Sequence, residues 1–340
     1  MFEKFLFRFV AMLVAVTLLA TTAQAVNIDY VPVGDAGNVA DTEIMQDSTT
    51  GYGSVADPYL IGTYEVTNAQ YIAFLNGVAT VGDLNGLYNT SMAGMYGGID
   101  RTGSGTASNP WVYSEKGADA NWLNRPVNYV SFYDTLRFSN WLHNGQLAGD
   151  PSTTEDGAYD MSLGVSVVRK PGARVFLPSE DEWYKAAYYK GGGDDAGYWD
   201  YPTQSDTPPT AESPPGADMS NGSANYWDGD YVDPTYYTTE VGAYDAKPSD
   251  SAYGTFDQGG NLWEWNEEDI YGAGSSRGLR GGGWDGDSDY LHASGRYGYG
   301  HPTYEGGFIG FRVASVPEPG SITLLVCGLV AGLIWWRRRK

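Results

Sequence analysis

Asp285, Asp287 and Asp289 occupy alternate positions in a D-x-D-x-D run. Carboxylates are hard oxygen donors, so such a run points to a bound cation or to a basic ligand in an acidic groove. It is not an EF-hand loop. Tyr290 stands where that loop needs glycine, and Arg296 where it needs a bidentate glutamate. The competing reading is a solvated acidic loop on an acidic surface. The only cysteine, Cys327, lies in an apolar run near the C-terminus, so the rest of the chain offers no thiol nucleophile and no thiolate ligand. His143, His292 and His301 show no i,i+4 spacing that would aim two imidazoles at one metal. No Ser-His-Asp arrangement, paired-carboxylate motif or phosphate-cradling glycine loop can be singled out.

Composition narrows the function classes further. The 340 residues carry 20 Lys+Arg against 42 Asp+Glu, a formal net charge of -22. Non-specific nucleic-acid binding is excluded, because phosphate contacts need a basic surface. With 42% apolar and 14% aromatic residues, the chain can build a core and is not disordered throughout. Its 46 Gly, 27 Tyr and 11 Trp predict a loop-rich, aromatic-packed fold rather than a helical bundle.

Three helix starts stand out among the elements that must position any site. Thr67-Asn68-Ala69-Gln70 reads as a capping box, followed by Tyr71, Phe74, Leu75 and Val78 at helical spacing. Ser131 to Asp134 opens a second helix, with Phe138, Trp141 and Leu142 on one face, and Ser179 to Glu182 a third, with Trp183, Ala186 and Ala187 inward. Short apolar runs predict strands at Val165–Val168, Arg174–Leu177, Gly278–Gly282 and Phe308–Ala314, after an opening strand within residues 26–56. Residues 191–248 have no helical period, which predicts a long loop that is functional, ion-stabilised or mobile. Trp263 and Trp265 read as core, and Arg280, Arg296 and Arg312 as partners of buried carboxylates.

Both ends read as targeting segments. Residues 1–25 have basic Lys4 and Arg8, an apolar stretch from Phe9 to Ala20 and a small-x-small site at Ala23-Gln24-Ala25, the pattern of a secretory signal peptide. At the other end, Val316-Pro317-Glu318-Pro319 precedes a seventeen-residue apolar run, 320–336, and the basic cluster Arg337 to Lys340. This run is short but long enough for a transmembrane helix. Residues 316–340 resemble a PEP-CTERM sorting signal. The resemblance implies export across the inner membrane, cleavage by an exosortase-type enzyme, and release to the cell envelope or extracellular matrix.

The middle, residues 26–315, resembles the formylglycine-generating enzyme (sulfatase-modifying factor) domain in six ordered blocks. They are Glu65-Val66-Thr67-Asn68 with Tyr71 and Phe74; Arg125-Pro126-Val127 through Trp141-Leu142; Val175 through Trp183; Asp257 through Trp265; Leu279 through Trp284; and Gly310 through Ala314. The resemblance implies an α+β fold with a C-type-lectin-like core, few regular elements and long loops. The family's enzymes hold copper on two cysteines between the fifth block and the following arginine. Here that interval, Trp284 to Arg296, contains none. Copper(I) prefers soft sulfur, so aspartate or serine cannot replace the pair, and no copper is expected.

The resemblance also implies two structural calcium sites. One falls on Asp257, Gly260, Leu262 and Glu264, with Gly260 and Leu262 giving backbone oxygens. The other falls on Asn225, Tyr226, Asp233 and Thr235. The expected function is therefore an exported, non-catalytic binding or matrix module with an unidentified glycan or protein ligand. The alternatives are a formylglycine-type oxidoreductase and an enzyme with other, non-thiol chemistry in the same groove.

Overall fold

The computed structural model describes residues 25–193, 196–245 and 249–317. The signal segment up to residue 24 and the tail from residue 318, with its 320–336 apolar run, lie outside them. No helix among the described residues is long and apolar enough to cross a membrane.

All three capping boxes start helices. In α1 (Asn68–Val78), the Thr67 hydroxyl accepts from the Gln70 N–H at 3.3 Å, and the Gln70 side chain accepts from the Thr67 N–H at 2.9 Å. Ser131 and Asp134 do the same for α2 (Phe132–His143), and Ser179 and Glu182 for α3 (Glu180–Tyr188). Each box satisfies two N–H groups that the first turn would leave unpaired. The inward faces of α1 and α2 meet in one aromatic cluster, while Trp183, Tyr184 and Tyr188 of α3 pack in a second one. Phe74 of α1 packs edge-on against Phe138 of α2 at 5.3 Å, and Phe138 against Phe311 at 5.4 Å.

Two four-stranded sheets flank these helices. One has the order β1-β2-β12-β5, from β1 (Tyr30–Val33), β2 (Tyr59–Gly62), β5 (Val175–Phe176) and β12 (Ala314–Ser315), all antiparallel. The other has the order β10-β9-β8-β11, from β8 (Trp263–Asp269), β9 (Arg277–Arg280), β10 (Tyr297–Gly300) and β11 (Ile309–Gly310), with β11 parallel to β8. Smaller ribbons join β3 (Ile99–Thr102) to β4 (Val112–Glu115), and β6 (Thr210–Ala211) to β7 (Ser223–Ala224). The result is an α+β fold with few regular elements and long loops.

Two strand expectations need correction. Val165–Val168 is no strand. A 3-10 turn covers Met161–Ser166, Gly164 takes φ 55°, and Val165 and Val168 point outward at 53% and 65% exposure. The left-handed glycine turns the chain before β pairing can begin. Phe308–Ala314 is split between the two sheets as β11 and β12. The long 191–248 stretch is organised by acids capping turns. Asp218 accepts from the Ser220 and Asn221 N–H groups, and Glu212 from Ala217 N–H and the Ser223 hydroxyl.

Candidate functional site

Strand β9 leads from Arg280 into the 284–296 interval, and buried arginines fix the far end of that interval. The Arg280 Nη1 donates to the carbonyls of Ala293 and Gly295, both at 2.9 Å. Its Nε meets Glu180 Oε1 at 2.8 Å, and Arg296 grips the same carboxylate through Nε and Nη2 at 2.7 and 2.8 Å. Burial opposes the charge on Glu180, but the two guanidinium groups outweigh it and hold its carboxyl below the ordinary range. The pairing expected for these arginines is therefore present.

Within this frame the three aspartates separate. Asp287 caps the short 3-10 turn Ser288–Tyr290, accepting from the Asp289 N–H at 3.1 Å. All three aspartates are exposed. Asp285 lines a cavity of about 250 Å³ with Trp263, Leu279, Tyr290, Tyr297 and Phe308. Although Asp285 reaches solvent, the groups around it strip water from its carboxyl and push its pKa up. Among the described residues, no three His, Cys, Asp or Glu side chains converge as a metal cluster. The aromatic walls were missed in the sequence. Trp265 and Trp263 are both core, as expected, at 0% and 7% exposure, and Trp263 also borders the cavity. A larger opening of about 630 Å³, between Asp35, Asp41, Tyr189 and Tyr198, contains none of the candidate residues.

The first set of calcium candidates lies in a buried polar group. Glu264 forms a bidentate ion pair with Arg312, at 2.7 Å to Nε and 2.6 Å to Nη2, and accepts from Trp183 Nε1 at 2.8 Å. Both of its oxygens are engaged. Asp257 accepts from the Gly242 N–H at 2.6 Å; burial first, then the charge of Glu264, pushes its pKa up to about 6, against the pull of Gly242 and Arg312. Gly260 has φ +89°, and a Cβ there would come within 2.4 Å of the Asn225 carbonyl oxygen, so only glycine fits. Leu262 is fully buried. Asn261 links Asn225 of the second set to Glu65: its side chain donates to Glu65 at 2.8 Å and accepts from Asn225 at 3.2 Å. In the second set, Tyr226 donates its hydroxyl to the Pro209 carbonyl. Asp233 pairs with Arg125 at 3.1 Å and caps the turn at Thr235, which is exposed.

Glu65 was not expected in this group. It stands 196 residues before Asn261, and no local spacing reveals the contact. Burial, then Asp257 and Glu264, drives its pKa well above the carboxylate range. Its Oε1 and the Asn225 Oδ1 are buried acceptors without a hydrogen-bond partner. Such oxygens suit a hard cation, so Glu65, Asp257 and Asn225 fit calcium by donor type better than Glu264 does.

The order of blocks, the capped helices and the two arginine-locked carboxylates fit one known domain. Residues 28–316 match the sulfatase-modifying factor enzyme 1-like domain family. The chain belongs to this family. No curated protein matches it. Among solved structures, Treponema denticola variable protein 1 is 22% identical, with 87% of this chain and 98% of that one covered at a TM-score of 0.53. CarF is 21% identical over 86% and 99% of the two chains, TM-score 0.50. PvdO from Pseudomonas aeruginosa is 18% identical over 85% and 94%, TM-score 0.51. At these identities the likeness shows the fold. The sulfatase-modifying factor domain here differs from the copper enzymes of the resemblance in having no cysteine between Trp284 and Arg296.

Proposed function

We propose that this chain is an exported binding module of the sulfatase-modifying factor family, without copper–thiolate oxidase chemistry. The observation that carries the reading is the cavity beside the cysteine-free interval, where Tyr290 and Tyr297 stand 39% and 43% exposed around Trp263. Large amphipathic rings that keep solvent-facing surface at the mouth of a cavity are typical of ligand recognition. The ligand is an extracellular glycan or polypeptide. A glycan and polypeptide array tests this: hits should weaken when Tyr290→Ala and Tyr297→Ala are combined. A blank array, or hits indifferent to both changes, refutes it. Conversion of a sulfatase-type cysteine peptide to formylglycine would restore the oxidase alternative.

Export rests on the signal segment 1–25 and the tail 316–340, with cleavage near Pro317-Glu318-Pro319 by an exosortase-type enzyme. Mass spectrometry of the released protein should find no Trp335 and no Arg337 to Lys340. Their presence would make the tail an anchor.

Calcium is a second reading, favoured by the unpartnered buried oxygens of Glu65 and Asn225. Glu65, Asp257 and Asn225 would hold it, and the ion would supply structural charge balance. Binding to the native state alone contributes on the order of 2.7 kcal/mol at a hundredfold excess over Kd. Superimposable melting curves in calcium and chelator would refute it.

A further inference from the structure

The binding reading above leaves open what chemical group the cavity takes, and this inference rests on that reading. We propose that Trp263, Tyr290 and Tyr297 form an aromatic cage for an N-methylated ammonium group, with Asp285 as its counter-charge. The Trp263 ring lies 5.4 Å from Tyr290 at 64° and 5.7 Å from Tyr297 at 52°. At such angles the rings stand as walls instead of stacking on one another. The negative face of each ring attracts a cation, most strongly where water is excluded. The Trp263 backbone is fixed in β8, its amide N–H donating to the Phe308 carbonyl at 2.9 Å.

Asp285 is placed to complete the cage. A Cβ built on Gly283 would lie 3.2 Å from Trp263 Cδ1 and 3.3 Å from Asp285 Oδ1, so carboxylate and indole flank the same point. Among the described residues, no arginine, lysine or histidine forms an ion pair with Asp285. The carboxylate is thus available to an incoming cation.

Size and polarity select the group. The cavity, about 250 Å³, lies below the range of roughly 300–1,000 Å³ that holds a whole drug-sized ligand. It suits a head group at the end of an arm. A primary ammonium brings three N–H donors that favour polar partners, whereas Trp263, Leu279, Phe308 and the ring faces of Tyr290 and Tyr297 offer mainly apolar contact. Methyl groups remove that demand and keep the charge. Asp287 and Asp289 are exposed close by in the chain, and they disfavour a ligand with its own phosphate or carboxylate beside the cation. The ligand is therefore a choline-like or trimethyl-lysine-like arm, not a zwitterion.

Isothermal titration of the purified chain tests this with four probes: choline, its uncharged isostere 3,3-dimethylbutan-1-ol, phosphocholine, and a neutral peptide bearing one trimethyl-lysine. Choline and the trimethyl-lysine peptide should bind at least about tenfold more tightly than the isostere, and phosphocholine should trail choline. A peptide that outbinds choline identifies a polypeptide source, and the reverse order a small-molecule source; either supports the cage. Tyr297→Leu and Asp285→Asn should each weaken choline about fivefold with unchanged melting temperature. Equal binding of choline and the isostere overturns the proposal. So does absence of choline binding at about 50 mM, or indifference to both variants. If choline fails while array hits still depend on Tyr290 and Tyr297, the cage falls and the broader binding reading stands.

Discussion

Replacing Glu264 with Gln keeps the side chain's shape and removes the charge that faces Arg312. Both residues are 0% exposed, so the guanidinium would be left with no bidentate partner in a dry interior. Breaking a buried pair in this way costs about 3–5 kcal/mol. Arg312 keeps the carbonyls of Gly62, Thr63 and Phe256, at 3.0, 3.3 and 2.8 Å, which places the cost at the low end. About 3 kcal/mol corresponds to a fall of roughly 6–12 °C in Tm for a domain of this size. A second consequence concerns pH. Burial raises the pKa of Asp257, to about 6, and of Glu65, and the Glu264 charge adds a smaller push to each. Without it, both native carboxyls ionise at lower pH, and the variant's native state holds fewer protons around pH 5 than the parent's. Stability relative to the parent then rises with pH, so the deficit should be smaller at pH 8 than at pH 5. Differential scanning calorimetry at both pH values measures it. A Tm change under about 2 °C, or an equal deficit at the two pH values, would refute the assignment of Arg312 and Glu264 as the charged centre of the fold.

Other perturbations separate the remaining roles. Asp134, at the start of α2, shares a hydrogen bond with Glu305, and burial pushes its pKa up to about 7. The folded chain then keeps a proton that the unfolded chain releases near pH 4, so this contribution is full at low pH and fades as pH rises through 7. Asp134→Asn should flatten the decline in stability between pH 5 and 8 by on the order of 2 kcal/mol, and an unchanged slope in chemical denaturation would exclude the pair. Asn261 serves Glu65, Asn225 and Thr239 at once and sits at φ 60°, so Asn261→Leu should cost about 3 kcal/mol or more by thermal melting; a loss below 1 would show that the hub is dispensable. Asp287→Asn with Asp289→Asn should shift Tm by less than about 2 °C, because the amide still caps Ser288–Tyr290 and like charges are relieved; a large loss would make the run a cation site.

Local chemistry was what the sequence displayed well. Thr67, Ser131 and Ser179 announce their helices because a capping box is closed within four residues. Arg280, Arg296 and Arg312 were readable as structural, since arginines amid buried apolar blocks need carboxylates. The sites were less legible because their members come from distant segments. Glu65 reaches Asn261 only through the packing of α1's approach against the β8 turn. Trp263 and Trp265 stand two apart on the same side of β8, and that spacing does not reveal which one borders a cavity. Val165–Val168 misled because an apolar run carries no record of the glycine conformation that precedes it.

The sheet order β1-β2-β12-β5 places the last strand of the domain in an interior position, between two that are made much earlier. During synthesis, β2 and β5 have no partner between them until residue 315 has emerged, and Arg312 reaches Glu264 only then. A chain that stops short at residue 310 therefore lacks an inner strand and carries a buried carboxylate with no counter-ion. This architecture makes completion of the polypeptide a condition for closure of the domain.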